Sequence, residues 1–316
     1  MSIPESRRSW LPVGVKPWLG AVLISFSGVW VRLADVEAIR SAFLRGAYAL
    51  PVLAVLVLLR ARAGEDGQRW FRPVAFLAGV FLGLDLIAWH FSIAIIGAGL
   101  GTVLPNLQVV FVGLVGVVLF RERPRRGFWV ALPIVLVGIW LLAAVGEPVA
   151  RDGNVPFGVG LGVVAGISYA VSLVVLRLSR ARGTASSAVG VLWSLTLGAT
   201  AVTGAVAVAR GVAGPAGWPA DGWLAALAIG SQVVGWLLLT SAIHRLPAAA
   251  TSVALLLQPV LALVWGALLL GEPVGRLQVL GAAIVLIGVA LAHAAVRGIR
   301  VAPPRGTTPA EAPGRR

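Results

Sequence analysis

Two stretches of the sequence match one another without a gap, and this match decides the fold. The first reads QVVFVGLVGVVLFRERPRRGFWVALPIVLVG (residues 108–138) and the second reads QPVLALVWGALLLGEPVGRLQVLGAAIVLIG (residues 258–288). The matched pairs include Gln108 with Gln258, Gly116 with Gly266, Glu122 with Glu272 and Gly138 with Gly288. Similarity at a fixed offset is the sequence signature of an internal repeat. We therefore expect two copies of one structural unit.

The composition places both copies in a lipid bilayer. Hydrophobic residues make up 59% of the 316 residues and charged residues only 12%, too few to cover the surface of a soluble protein. Apolar runs of about 17 to 25 residues can cross a bilayer as helices. Such runs lie at approximately 17–35, 41–60, 72–93, 97–120, 127–145, 157–178, 185–209, 222–242, 247–270 and 276–296. The predicted fold class is an all-α integral membrane protein with ten transmembrane helices.

The loops between these runs indicate that the two copies are inverted. Each copy contains five spans, an odd number, so the second copy must cross the membrane in the opposite sense to the first. The matched hairpins agree, because RERPRR (121–126) carries four arginines and GEPVGR (271–276) carries one. Basic residues concentrate in cytoplasmic loops, which places RERPRR and both termini in the cytoplasm. The arginine, alanine and glycine content suggests a GC-rich bacterial genome, so the expected location is the inner (plasma) membrane.

The internal repeat and the loop charges together predict the domain organisation, which is a 5+5 inverted-topology repeat. Its parts are a cytoplasmic N-terminal tail (1–16), a first repeat (17–145), an inverted second repeat (157–296) and a disordered cytoplasmic tail (297–316). Inverted repeats around a shared midplane are the architecture of secondary transporters that work by alternating access.

The segment PVLALVWGALLLGEPVGRLQVLGAAIVLIGVALA (259–292) resembles the end of an EamA domain, the repeat unit of the drug/metabolite transporter (DMT) superfamily. The resemblance covers the earlier copy as well, although that copy has Arg121 in place of the Gly271 of the hairpin and Val109 in place of Pro259. It implies a ten-helix inverted-repeat fold with a central cavity lined mainly by helices 1, 3, 4, 6, 8 and 9. It implies no single substrate, since members move amino acids, other metabolites, cationic drugs and sugars.

An aspartate and a histidine lie inside the third apolar run, in GLDLIAWHFS (83–92). An ionisable side chain at this depth costs a few kcal/mol unless it faces protein or water. On a helix Asp85 and Trp89 share a face, whereas His90 lies about 140° from Asp85. The functional interpretation is that Asp85 faces a cavity, where it binds an amine or carries a proton, with His90 as a second titratable candidate.

The alternative for Asp85 is structural. Arg45 is the basic residue that lies well inside an apolar run, and a buried ion pair between Arg45 and Asp85 would lock the second and third helices together. The sequence leaves the structural and the functional roles open. A single buried basic residue disfavours phosphorylated substrates, because a phosphate site would use several.

Other polar and aromatic residues within the runs are further candidates for the cavity. They are Asn106, Gln108, Tyr169, Gln232 and Gln258, with Trp89 and Trp236 as aromatic walls. Aromatic walls hold apolar or cationic groups. Asn106 follows Pro105, whose missing N–H predicts a bend that exposes backbone to a ligand. The competing role for each amide is hydrogen bonding between helices, and for each aromatic residue it is ordinary packing.

The remaining charged and titratable residues indicate no catalytic, metal or cofactor site. Glu122 and Glu272 are interpreted as structural, since each precedes a helix whose positive N-terminal end suits a carboxylate. The three histidines are dispersed and cysteine is absent, so no metal or cofactor is expected, and no enzyme or nucleotide motif occurs. The net charge of +14 comes from arginines between apolar runs, which favours lipid headgroups over nucleic acid as partners.

These observations predict a secondary active transporter that exports a small metabolite, either an amino acid or an amphiphilic or cationic compound. Because an ATP-binding motif is absent, concentrating transport would use exchange or an ion gradient, with protons as a candidate ion. The expected partners are a small-molecule substrate and the lipid bilayer, and the oligomeric state is left open. The alternatives are a non-transporting membrane partner subunit and a lipid-handling membrane protein.

Overall fold

The computed structural model describes residues 12, 14–62, 71–119, 121, 126–143, 155–181, 188–242, 254–271 and 274–296. In chain order the helices are α1 (Lys16–Ser25), α2 (Ser27–Ala34), α3 (Ala38–Arg62), α4 (Pro73–Val103), a 3-10 turn (Leu104–Leu107), α5 (Gln108–Val118), α6 (Arg126–Ala143), α7 (Val155–Ala181), α8 (Ala188–Ala209), α9 (Ala220–Ala226), a π-helix (Leu227–Gly235), α10 (Trp236–Ala242), α11 (Gln258–Leu270) and α12 (Arg276–Val296). Glu122, Glu272, residues 1–11 of the N-terminal tail and the whole C-terminal tail lie outside the described residues.

Within the described residues, six helical segments are long and apolar enough to cross a bilayer. They are Lys16–Ala34, Ala38–Arg62, Pro73–Ser92, Pro156–Leu178, Ala188–Ala209 and Ala220–Ala242. Four shorter apolar helices accompany them, at Leu104–Val118, Arg126–Leu141, Gln258–Leu270 and Val279–Ala292. The chain is therefore an all-helical, multi-pass membrane protein, and the total of ten transmembrane helices stays a prediction.

The first predicted span is interrupted at Phe26, between α1 and α2. The hydroxyls on either side of the break, those of Ser25 and Ser27, donate hydrogen bonds of 2.6 and 2.5 Å to carbonyls three residues earlier in the chain. Serine hydroxyls that bond to the preceding turn compete with the helical hydrogen bonds and bend helices. The break therefore has a local cause in the sequence.

The two matched glutamines each begin a helix directly after an irregular turn. Gln108 begins α5 after the 3-10 turn, and Gln258 begins α11 after a turn at residues 256–257. A proline lies at each break, Pro105 in the first copy and Pro259 in the second, and proline suits the first turn of a helix but not its interior. Both copies thus have an interruption at the same position of the repeat.

The chain changes direction within α4, after Ser92. A β-carbon at Gly162 of α7 would lie 2.5 Å from Leu104 Cδ1 and 3.0 Å from Ser92 Oγ, so both residues contact one point on α7. A straight helix would separate Ser92 from Leu104 by roughly 18 Å. Residues 93–103 belong to α4 but cannot continue the straight line of residues 73–92, in agreement with separate third and fourth runs in the sequence.

The helices α6 and α12 occupy matching places in the two copies and pack against one another. A β-carbon at Gly138 would lie 2.8 Å from the side chain of Val285, and one at Gly288 would contact the side chain of Val135. Each helix therefore makes the same glycine-to-valine contact with the other, as surfaces related by a two-fold axis do. The contacts run in opposite directions along the two helices, so α6 and α12 are antiparallel.

The main hydrophobic core lies between α3, α4, α7, α8 and the π-helix. Glycines let α4 and α8 approach closely, because a β-carbon at Gly79 would meet the backbone of Leu195 and one at Gly198 would meet the backbone of Phe76. Small residues at such interfaces drive helix association in membranes, where lipid tails are as apolar as the helices. This core supports one wall of the cavity described next.

Candidate substrate-binding cavity

Helices from both halves of the chain enclose a cavity of about 180 Å³. Its lining residues are Ile24, Arg45, Leu82, Asp85, Leu86, Trp89, Pro105, Tyr169, Gln232, Trp236 and Gln258. They come from α1, α3, α4, the 3-10 turn, α7, the π-helix, α10 and α11. The cavity is therefore bounded by both copies of the repeat and combines two charged side chains with aromatic and aliphatic walls.

The structure brings together six of the nine cavity candidates from the sequence. Asp85, Trp89, Tyr169, Gln232, Trp236 and Gln258 line the cavity, and Arg45 joins them. His90, Asn106 and Gln108 do not line it, although Pro105 next to Asn106 does. The sequence did not predict the aliphatic lining residues Ile24, Leu82 and Leu86, because nothing in it distinguishes them from lipid-facing residues in an apolar run.

Asp85 lies in α4 with 7% of its surface exposed. Among the described residues it makes no hydrogen bond, and no guanidinium nitrogen lies within 4 Å of its carboxylate. The direct ion pair with Arg45, which was the structural alternative, is therefore not formed. Asp85 presents a carboxyl group to the cavity, and Arg45 of α3 faces the same space.

Arg45 is held instead by neutral groups of the π-helix. Its Nε donates to Gln232 Oε1 at 2.9 Å, and its Nη2 donates to Ser231 Oγ at 3.1 Å. Gln232 Nε2 in turn donates to Thr196 Oγ1 of α8 at 3.0 Å, and the Ser231 hydroxyl lies 2.8 Å from the hydroxyl of Ser27 in α2. Side chains from three other elements, the π-helix, α8 and α2, thus fix the guanidinium in place, yet none of these partners carries a charge.

The π-helix explains how two consecutive residues reach one guanidinium. In an α-helix Ser231 and Gln232 would point about 100° apart, whereas the wider π-helix Leu227–Gly235 has more residues in each turn and brings neighbours closer to one direction. Isolated π segments in membrane and soluble helices frequently occur at functional sites. Sequence periodicity gave no signal for this segment.

His90 points away from the cavity lining and bonds to its own helix. Its Nδ1 lies 2.6 Å from the carbonyl oxygen of Leu86, and a carbonyl only accepts, so Nδ1 carries the proton. Its ring packs against Trp89, with ring centroids 4.8 Å apart. The helical geometry predicted this separation from Asp85.

The matched glutamines each retain an unpaired buried atom within the described part of the chain. Gln258 Nε2 is a donor without a partner, and Gln108 Oε1 is an acceptor without one. Gln258 lines the cavity, but Gln108 is buried beside it in α5 with 2% exposure. Asn106 is partly buried in the 3-10 turn. Of these three amides, only Gln258 is placed to meet a ligand in the cavity.

The cavity offers an acidic and a basic side chain, and its described residues do not resemble a metal centre. Within the described residues no three His, Asp or Glu side chains form a group that could hold a metal ion. The polar groups alternate with the rings of Trp89 and Trp236, which offer apolar surface and favourable faces for a cation. The arrangement is suited to reversible binding of a small polar molecule.

Comparisons with known proteins agree with this architecture. The model of the EamA-like transporter family matches twice, at residues 18–144 and 156–293. The uncharacterized transporter YwfM of Bacillus subtilis (strain 168) is 24% identical over 286 residues, which cover 86% of this chain and 90% of YwfM. A crystal structure of a protein with 16% identity has a TM-score of 0.73 over 90% of this chain and 97% of its own, which shows a shared fold. With two family matches that together span most of its length, this chain belongs to the EamA-like transporter family.

Proposed function

We propose that the protein is a secondary active transporter that exports a small metabolite through this cavity by alternating access. The observation that carries the proposal is the cavity itself. It lies between both copies of the family domain and presents Arg45 and Asp85 within apolar helices. Charged side chains in membrane spans are costly and mark substrate or ion pathways.

The size of the cavity supports a small metabolite over a bulky drug. Pockets for drug-sized ligands enclose about 300 to 1,000 Å³, whereas this cavity encloses about 180 Å³. An amino acid or a compound of similar size fits that space.

The packing of α6 against α12 supports alternating access. The reciprocal contacts of Gly138 with Val285 and of Gly288 with Val135 relate antiparallel helices in matching places of the two copies. Two halves of like shape and opposite orientation open to either side of a membrane by the same rocking motion. In this proposal the chain lies in a bacterial inner membrane with both termini in the cytoplasm.

Asp85 supports coupling to protons. A buried carboxylate without a cationic contact is neutralised either by a proton or by a cationic group of the substrate. If both compete for Asp85, proton entry drives substrate exit, because the carboxylate cannot hold both. Export by proton exchange then needs no further titratable group in the cavity.

Flux into and out of proteoliposomes tests the proposal. Vesicles are loaded with pooled amino acids and cationic compounds, with and without a pH gradient, and wild type is compared with Asp85→Asn. We expect at least one compound to move, with a pH response that Asp85→Asn abolishes. Folded protein that moves none of these compounds would contradict a transport function, and an unchanged pH response in the variant would contradict the role of Asp85. Asp35→Asn is the matched control, since Asp35 is an exposed residue at the end of α2.

A further inference from the structure

We infer that the cavity selects a small zwitterion of the amino-acid type, in which Asp85 binds the ammonium group and Arg45 binds the carboxylate. The apolar remainder of the ligand lies against the aromatic and aliphatic walls. This inference rests on the proposed function only in taking the cavity as the substrate site. It narrows the substrate class from amino acids, other metabolites and cationic compounds to molecules that carry both charges close together.

The first argument concerns Asp85. Its carboxylate is almost completely buried, and within the described residues it accepts no hydrogen bond and has no cationic nitrogen within 4 Å. A buried carboxylate in this state is costly unless a ligand supplies donors and positive charge. A primary ammonium supplies three N–H donors and one positive charge. The same group also suits the faces of nearby Trp89 and Trp236.

The second argument concerns Arg45. The described residues engage its Nε and Nη2, both through neutral acceptors, and leave Nη1 without a hydrogen bond. The guanidinium is therefore fixed in position while its charge is not neutralised by contact. A carboxylate is the planar, bidentate partner that a guanidinium prefers.

A third group reinforces the anionic end of the ligand. Gln258 lines the cavity, and its Nε2 is a buried donor without a partner in the described part of the chain. A buried donor left unpaired is costly, and a ligand carboxylate oxygen that reaches it would satisfy it. Gln258 comes from the second copy of the family domain and Arg45 from the first, so a carboxylate held by both would bridge the two halves.

While Asp85 is ionised, charge balance favours a zwitterion over the competing ligand classes. A simple amine neutralises Asp85 but leaves Arg45 without an anion, and a simple carboxylate does the reverse. An uncharged sugar leaves both charges buried and unpaired. A zwitterion has no net charge and one group for each, so it satisfies both without importing an uncompensated ion.

The wall residues and the volume of the cavity limit the apolar part of the ligand. Ile24, Leu82 and Leu86 add aliphatic surface to the rings of Trp89 and Trp236. The space available in the cavity is about 180 Å³. An apolar side chain of a few carbon atoms, with the two charged groups, fills a space of this order.

Ligand analogues test the inference on the wild-type protein. Full-length protein in nanodiscs is titrated by calorimetry with alanine, valine, leucine and phenylalanine, and then with leucinamide, N-acetyl-leucine and isoamylamine. We expect at least one of the free amino acids to bind, and each analogue that lacks a charged group to bind at least about thirtyfold more weakly than leucine. Equal binding of leucinamide or N-acetyl-leucine would overturn the assignment, and so would the failure of all four amino acids to bind.

Variants assign each end of the ligand to a residue. In Asp85→Asn we expect weak leucine binding and the preference for leucine over N-acetyl-leucine to collapse to within about threefold. In Arg45→Gln the preference over leucinamide should collapse in the same way, and Arg45→Lys should retain part of it, because lysine keeps the charge but not the fork. Asp35→Asn and Arg40→Lys are the controls, since Arg40 donates to Val212 O outside the cavity. An unchanged preference in Asp85→Asn would overturn the role of Asp85.

The outcome separates this inference from the transport proposal. Zwitterion binding without flux in proteoliposomes would leave the ligand class standing and contradict the transporter. Flux of a different compound without zwitterion binding would support the transporter and overturn the ligand class. If Arg45→Gln does not fold, Arg45→Lys and the analogue series on wild type still decide the result.

Discussion

The Nε of Arg45 donates a 2.9 Å hydrogen bond to the side-chain oxygen of Gln232, a residue 187 positions later in the chain. Arg45 belongs to the first family match and Gln232 to the second. This bond joins the two halves of the protein at the cavity wall. Because the donor is the guanidinium of Arg45, the position of the Gln232 oxygen determines where this positive charge lies in the cavity wall.

Gln232→Ala is expected to destabilise the protein by about 1–3 kcal/mol, because it removes the acceptor of Arg45 and the donor to Thr196 and leaves buried groups unpaired. Denaturant unfolding in detergent micelles measures the change. Ser241→Ala is the control, since the Ser241 hydroxyl bonds to Leu238 O of its own helix at 2.8 Å, and its effect should stay within about 0.5 kcal/mol. Equal losses in the two variants would contradict a bridging role for Gln232.

Gly162→Leu and Gly160→Leu should differ sharply, although the two positions lie close together on α7. A β-carbon at Gly162 would press on Leu104 and Ser92, whereas one at Gly160 would have open space around it. Overpacking typically costs about 1–3 kcal/mol, so only Gly162→Leu should lower thermal stability. Displacement of Leu104 would also move Pro105 at the cavity. Comparable melting temperatures for the two variants would argue against close packing of α7 on the 3-10 turn.

Trp89→Ala and His90→Phe test two adjacent residues that face different surroundings. Trp89 lines the cavity, whereas His90 does not and bonds to Leu86 of its own helix. Truncation of a buried aromatic contact to a ligand should weaken apparent affinity about tenfold. His90→Phe should change it less than about twofold. The substrate concentration that half-saturates flux measures both, and a larger effect at His90 would place the ligand on the other face of α4.

Asp221→Ala should loosen the loop that precedes α9. The carboxylate accepts hydrogen bonds from the backbone amides of Ala216 and Gly217, at 3.0 and 2.9 Å, and from the hydroxyl of Tyr48 at 2.8 Å. These amides have a side-chain partner in place of a helical one, so the substitution should speed their hydrogen exchange by about tenfold or more. Amides in the middle of α8 serve as the internal control. Unaltered exchange at Ala216 and Gly217 would show that the loop is ordered by other contacts.

The hydropathy pattern predicted the apolar segments well and their irregularities poorly. Run length depends on local composition, which the sequence gives directly, so each predicted segment overlaps a helix in the described part of the chain. The break at Phe26 and the π-helix Leu227–Gly235 lie within uniformly apolar runs. Their causes are specific hydrogen bonds, such as those of Ser25 and Ser27, to which hydropathy is insensitive.

The candidate site was predictable to the extent that polar residues are rare in apolar runs. Asp85, Gln232 and Gln258 stand out for that reason, and each lines the cavity. Gln108 stands out equally but is buried in α5 and does not line the cavity. The sequence could not separate the two cases, because burial in protein and exposure to a cavity give the same sequence pattern. The sequence also predicted that His90 and Asp85 point in different directions, because the angle between two side chains on one helix depends only on their spacing.

By itself, the sequence determined that this chain crosses a membrane several times and contains two copies of one unit, because run length and internal similarity are properties of the linear chain. Only the tertiary structure decided that Arg45 is held by Gln232 and Ser231 and that Asp85 is left facing the cavity. Such choices depend on how helices distant in sequence are rotated and spaced against one another. That packing is set by many weak contacts together, and no single stretch of sequence contains it.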